Sequence, residues 1–354
     1  MRVVVCGRGA ADARSSVWAH VTSSLRAYGY EVVAYDPRSP QSSGLVRGNS
    51  MSSLRSLLIE HRPHLLVHIP TPGDLSPAEI REATAASETI ALALHTGTTF
   101  SEAPTRVSEA ADHLRDYDLV AVPDKWTAAE LAAEGSYRLF CLEPGAHAPS
   151  LDDAVPADRR GVVVVAEPDD RGASIARSMV EAGIDLRLVG HGWVDHPDLA
   201  PISLDPPSYS ELGSILASAA LLVELPLAVE QQSLVRLSAW ESGVGQSVFD
   251  AACVATPSLT LERPGVDAHF GPGESILTYC REDDVARLVS IVLSDANLLS
   301  TVGEAAADLV RAQHRWSDRW SDLFGPFVQP DDDGEVVVIQ PVGAVSILES
   351  ISVG

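Results

Sequence analysis

Cysteine is scarce. Cys6, Cys141, Cys253 and Cys280 are the only 4 in 354 residues, each set singly in mostly apolar sequence with no CxxC pair. That excludes a redox dithiol and a spaced structural zinc site, and reads as free thiols in a reducing compartment. Basic side chains are few as well: 25 Lys and Arg face 49 Asp and Glu, a formal net charge of −24, with no basic run. Such a surface opposes extended contact with phosphate backbones, so no nucleic-acid partner is expected. No stretch approaches the roughly 18 consecutive apolar residues of a membrane-spanning helix. The chain enters a strand-like run at Arg2-Val3-Val4-Val5-Cys6 with no secretory leader, so a cytoplasmic protein without a transmembrane segment is expected. What the chain does have is apolar mass: 45% hydrophobic against 21% charged residues. This excludes global disorder, and the length suits one large α/β unit or two ordinary domains.

Apolar runs of strand length alternate with helix-length segments from the start. Strands are predicted at 3–6, 30–35, 64–69, 89–94, 119–122 and 137–142, and helices at 15–28, 51–61, 77–86, 105–115 and 124–134. Near-continuous apolar strands spaced this way argue for a parallel sheet covered on both faces. The Pro- and Gly-bearing run 143–149 and the polar residues after it break the rhythm. It restarts with strands at 161–166, 184–189, 219–223 and 258–261, and helices at 171–182, 208–217, 246–254, 282–293 and 298–314. The pattern predicts a first α/β domain at 1–148, a linker at 149–160, a second domain at 161–314, a terminal helix at 315–330 and a tail at 331–354. Trp316 and Trp320 are four apart, hence on one helix face, and are expected to pack across the domain boundary. In the tail, 335–340 and 344–348 read as two short strands around Pro341-Val342-Gly343, a short C-terminal β extension.

Candidate sites follow the ends of strands. Gly7-Arg8-Gly9 stands where backbone amides can receive an anion, but the dinucleotide GxGxxG spacing is absent, and a tight strand-to-helix turn explains the glycines equally. In the second half, Gly190-His191-Gly192-Trp193 follows a strand: the glycines permit close approach, His191 can donate to a phosphate or sugar oxygen, and Trp193 can cover a base. Gly245-Gln246-Ser247-Val248-Phe249-Asp250 opens a helix whose amides suit a diphosphate, with Asp250 able to accept from two ribose hydroxyls. A plainly capped helix, with Ser247 as its cap, is the structural alternative.

The run 244–257, Val-Gly-Gln-Ser-Val-Phe-Asp-Ala-Ala-Cys-Val-Ala-Thr-Pro, with the strand after it, resembles the donor-binding segment of GT-B glycosyltransferases. The resemblance is to the CgeB-like, or spore-maturation-protein-like, group within the family-4-type enzymes, and 186–193 matches that group's strand and Gly-Trp corner. It implies a GT-B-like fold, two Rossmann-like domains facing a central cleft, with an acceptor-side first domain and a second domain that holds a nucleotide sugar. Gly190, His191, Trp193, Gln246, Ser247, Phe249 and Asp250 would form the donor site, Asp250 holding the ribose. Three departures stand out: Asp250 replaces the group's usual Glu, Gln246 its Arg, and Ala255 its Gly. Gln cannot neutralise a diphosphate as Arg can, and Ala lacks the backbone freedom of Gly.

The implied chemistry is transfer of a sugar from a nucleoside diphosphate donor, a substrate and not a tightly bound cofactor, to a small-molecule, peptide or cell-surface acceptor. No metal ligands are expected. His95, His20 and Asp12 are the acid–base candidates on the acceptor side, with Asp124 behind them. Both histidines also read as ordinary structural residues. A homodimer stays open. The rival readings are an impaired homologue that binds a nucleotide, glycan or partner, and a nucleotide-sugar epimerase. The acidic charge suits a cationic acceptor.

Overall fold

The computed structural model describes residues 1–7, 15–37, 50–70, 74–94, 114–122, 128, 131–132, 138–146, 158–205, 207–225, 244–263, 265–324, 328–330 and 336–338. In the first half, β1 (Arg2–Cys6), α1 (Ser15–Ala27), β2 (Glu31–Tyr35), α2 (Ser50–His61), β3 (Leu65–His68), α3 (Pro77–Thr84), β4 (Ile90–Leu94), β5 (Leu119–Val122) and β6 (Leu139–Cys141) succeed one another. The strands pair in parallel in the order β2-β1-β3-β4-β5-β6. Val3, Val5, Val67 and Leu92 face one apolar layer and Val4, Leu66, Ala91 and Val120 the other. Burial on both faces is why these strands lack polar alternation. The helices expected at 105–115 and 124–134 lie largely outside the described residues, as do His95, Asp12 and Asp124.

The second half repeats the plan with β7 (Val162–Val165), α4 (Asp170–Glu181), β8 (Leu186–Val189), β9 (Ser203–Leu204), α5 (Tyr209–Ser218), β10 (Leu221–Val223), α6 (Gln246–Cys253), β11 (Ser258–Leu261), β12 (Leu277–Tyr279), α7 (Val285–Leu293) and α8 (Ala296–Gln313). Its parallel sheet runs β12-β11-β10-β7-β8-β9. The two-residue edge strand β9 escaped the sequence reading because it is too short to show a period. Asp169 caps α4 by accepting from the Gly172 amide, and a reciprocal Ser208–Glu211 capping box opens α5, which fixes both helix starts.

The chain then returns to the first sheet. Ala146 N donates to His314 O at 2.8 Å and Trp316 N to Ala146 O at 2.9 Å, so the two crossings between the halves are stapled together. Helix α9 (Trp316–Phe324) places Trp316, Trp320 and Leu323 in the layer of Val3, Val17, Val21 and Leu25, the two indoles stacked at 5.3 Å. Trp320 Nε1 donates to Ser24 Oγ of α1 at 2.6 Å.

The tail differs from expectation. The last helix stops at Phe324, and β13 (Val328–Pro330) pairs antiparallel with β14 (Val336–Val338). The intervening residues 331–335, like 341–348, lie outside the described residues.

Candidate functional site

Helix α6 joins the two halves. Val248, Phe249, Asp250, Ala251, Ala252 and Cys253 are all buried, whereas Gly245 before it is exposed and Gln246 and Ser247 are half-buried. The amides of a first helical turn have no intrahelical acceptor, and the N-cap here is Gly245, which has no side chain to cap them; Ser247 does not fill that role. Gly245 N itself donates to Glu224 Oε1, directly after β10. The other carboxylate oxygen, Oε2, accepts from Thr260 Oγ1 and, at 2.9 Å, from Arg263 Nη2. Glu224, Thr260 and Arg263 are all buried. A charged pair so enclosed persists because the two charges face each other and share hydrogen bonds with Gly245 N, Thr260 and Leu261 O.

One turn into α6, Asp250 reaches the opposite half. Its Oδ1 lies 2.5 Å from His20 Nε2 on α1 and accepts from Gln246 Nε2 at 3.1 Å. Gln246 also donates to Gly145 O at 2.8 Å, in the crossing segment. The Tyr209 hydroxyl of α5 lies 3.0 Å from His20 Nε2, its ring edge-on to the imidazole. Burial, with Asp250 adding to it, pushes the Tyr209 hydroxyl far above the ordinary phenol range, so it keeps its proton. Asp250 Oδ2 is buried and has no hydrogen-bond partner among the described residues. A second hydrogen-bond acceptor is therefore held in place at the junction without a donor among the described residues.

The aromatic candidates are placed otherwise than expected. Trp193 is fully buried in the core of the second sheet and its Nε1 donates to Ala166 O at 2.6 Å. It supports the corner and cannot cover a base. Gly190 is required beside it: with φ +151°, a Cβ there would sit 2.1 Å from Ala166 O. Phe249 likewise belongs to the core, with its ring 5.4 Å from Phe270, 5.8 Å from His269 and 5.7 Å from His314. His191 is exposed. The structure thus brings together His20, Gln246 and Asp250, with Ser247 nearby on the same first turn, and turns Trp193 and Phe249 away into the core.

Sequence reasoning missed Tyr209, Glu224, Thr260 and Arg263. One signal was present: Glu224 interrupts the apolar run 221–225, and a charge inside such a run calls for a buried partner. Among the described residues no three His, Cys, Asp or Glu side chains converge as a metal-ligating group. Among them, too, no single helix is long and apolar enough to cross a membrane.

Comparison with known proteins adds a partial family match and a fold. A family described as glycosyl transferase-like matches residues 171–325, from α4 through α9. No curated protein matches the chain. Among solved structures, the sucrose-phosphate synthase of Thermosynechococcus elongatus is 15% identical with a TM-score of 0.60, the alignment covering 92% of this chain and 98% of that one. Anabaena HepE in complex with UDP-glucose is 8% identical with a TM-score of 0.60, covering 92% and 100%. An alpha-glucosyltransferase in complex with UDP is 10% identical with a TM-score of 0.63, covering 92% and 99%. The two parallel sheets, each flanked by helices, form a GT-B-like fold of two Rossmann-like halves.

Proposed function

We propose that this protein is a glycosyltransferase that moves a sugar from a nucleoside diphosphate donor to an acceptor hydroxyl or amine between its two halves. The observation that carries the reading is Asp250. It stands at the acidic position of the donor-segment resemblance, one oxygen is held by Gln246 and His20, and the other is buried and unmatched among the described residues. In this reading Oδ2 accepts from ribose hydroxyls, and the open first turn of α6, at Gln246 and Ser247, meets the diphosphate. In the same reading His191, exposed beside the Gly190 corner, donates to a phosphate or sugar oxygen. The finer assignment to the CgeB-like group rests on the 244–261 sequence. The match over 171–325 and the likeness in fold to glycosyltransferase-type structures holding UDP-glucose or UDP support the broader one.

Catalysis then consists of orienting donor and acceptor, stabilising charge on the leaving diphosphate and excluding water. Helix α6 supplies partial positive charge where the leaving group develops negative charge. Fully buried His20 acts through Asp250 as a positioning residue. His95, which directly follows β4 in sequence, and Asp12, in the segment after β1, are the acceptor-side acid–base candidates. Four cysteines without a disulfide suit a reducing, cytoplasmic setting.

The test is calorimetric titration with UDP-, GDP- and dTDP-sugars. One donor is expected to bind and to lose about tenfold or more in Asp250→Asn, because a hydrogen bond to a charged acceptor is worth about 1.5–3 kcal/mol. Absence of binding across the panel, or equal binding by the variant, overturns the donor site. Binding without transfer to any acceptor would favour the impaired-homologue reading, which the replacement of Arg by Gln246 supports. Isomerisation of the donor without an acceptor would favour an epimerase.

A further inference from the structure

We infer that Glu224 and Arg263 form a charge-balanced clamp that positions the first turn of α6 and sets its affinity for the diphosphate of the donor, an inference that rests on the donor site proposed above. Glu224 follows β10 and Arg263 lies two residues beyond β11, both at the carboxyl edge of the second sheet, the edge where parallel α/β sheets receive ligands. One carboxylate ties three segments: Gly245 N at the start of α6, Thr260 Oγ1 in β11 and Arg263 Nη2. Arg263 Nη1 adds bonds to Thr260 Oγ1 at 2.8 Å and Leu261 O at 3.2 Å. The fit at the helix start is close, since a Cβ on Gly245 would lie 2.9 Å from Glu224 Oε1.

The choice of residues is unusual for an anion site. A carboxylate satisfying the helix-start amide competes electrostatically with a diphosphate arriving at the same turn. The buried guanidinium removes that conflict: side-chain exposure is 3% for Arg263 and 8% for Glu224, so their charges are little screened by water. Glu224 therefore supplies geometry and Arg263 supplies neutrality. The two roles separate by mutation. Glu224→Gln keeps an acceptor for Gly245 N and removes the negative charge. Arg263→Met keeps side-chain bulk and leaves the carboxylate uncompensated.

The probes are UDP, GDP, dTDP, inorganic pyrophosphate and the uncharged nucleosides, titrated against the full chain, with thermal melting to verify folding. For whichever diphosphates the wild type binds, Glu224→Gln should bind within about threefold of wild type or tighter, and Arg263→Met at least about tenfold weaker. The double variant Glu224→Gln/Arg263→Met should recover to within about threefold of wild type. Nucleoside binding should change little throughout, which separates charge from loosening of the site. If Arg263→Met does not fold, the Gln variant and the double variant decide. Loss of diphosphate binding in the Gln variant, or a double variant weaker than wild type by about tenfold, overturns the clamp. Nucleoside affinity falling in step with diphosphate affinity overturns it equally. A wild type that binds none of the diphosphates overturns the donor site, and the clamp with it, whereas binding without the charge split overturns the clamp alone.

Discussion

The two ends of helix α6 are built in opposite ways. At the carboxyl end Thr256 N donates to Ala251 O and Ala255 N to Ala252 O, the paired bonds of a Schellman closure. Arg159 then takes the exposed carbonyls, Nη2 to Val254 O at 2.6 Å and Nη1 to Ala255 O at 2.7 Å, and Thr256 Oγ1 donates to Leu216 O at 2.8 Å. This end is closed by neighbours within the second half. At the amino end, among the described residues, Glu224 takes the Gly245 amide, the N-cap glycine offers no side chain, and Asp250 and Gln246, bonded to each other, reach out of the helix to α1 and to Gly145, with one carboxylate oxygen left over. One short helix thus keeps its rigid anchor at one end and its unsatisfied polarity at the other, the arrangement a binding site needs.

Breaking the cross-contact should have the largest effect on stability. His20→Ala strips the buried Asp250 oxygen of its 2.5 Å partner and leaves Gln246 alone. The expected loss is about 3 kcal/mol in equilibrium urea unfolding, since removing one member of a buried polar pair exposes the other's desolvation cost. A loss below about 1 kcal/mol would mean that the amino end is less tied to α1 than its geometry implies. At the anchored end, Gly303→Ala places a Cβ 2.3 Å from Ala255 O, where backbone must move. About 2 kcal/mol of destabilisation is expected, with donor affinity within about twofold of wild type. Equal damage to binding and stability would erase the distinction between the ends.

The middle of the helix responds to pH. Phe249 packs against His269 and His314, and His314 Nε2 donates to His269 O at 3.0 Å while its Nδ1 accepts from Arg319. Burial, then Arg319 and Arg263, lowers His269 from 6.5 to about 4; burial, then Arg319 and His269, lowers His314 to about 4. Below about 6.5 the unfolded chain takes up protons that the folded chain refuses. Stability is therefore complete above that pH and declines as pH falls towards 4. Melting should drop by about 3 °C between pH 7 and pH 6, and a His269→Gln variant should show a flatter profile. An unchanged slope in that variant would move the titration elsewhere.

Legibility in the sequence followed the range of the interaction. The repeated strand–helix alternation announced both sheets because each strand is buried on two faces and carries its signal locally. The start of α6 was legible at Gly245 and Gln246 for the same reason. The partner of Asp250 was not, since His20 is 230 positions away and no spacing rule spans that distance. Trp193 misled because a Gly-Trp corner fits a base platform and a core wedge equally; only the direction of the ring, settled by its bond to Ala166 O, distinguishes them. Glu224 and Arg263 are 39 positions apart, and their pairing follows from β10 and β11 being neighbours in the sheet, a fact of topology.

The smallest effect should come from the departure at the Schellman corner. Ala255 has φ +54°, inside the left-handed region, where a Cβ costs roughly 1–2 kcal/mol against the carbonyl and glycine sits without strain. Ala255→Gly therefore relieves strain in the folded chain but adds backbone freedom to the unfolded one, which offsets about 0.4–1 kcal/mol of the gain. The balance is a stabilisation of about 0.5 kcal/mol, read as a small rise in urea midpoint with no change in m-value. The Arg159 bonds to Val254 O and Ala255 O contact backbone only and should survive the change. If the glycine variant is instead less stable, Arg159 and the closely packed Gly303 already hold the corner so firmly that unfolded-state entropy dominates, and the anchored end of α6 is stiffer than its backbone strain suggests.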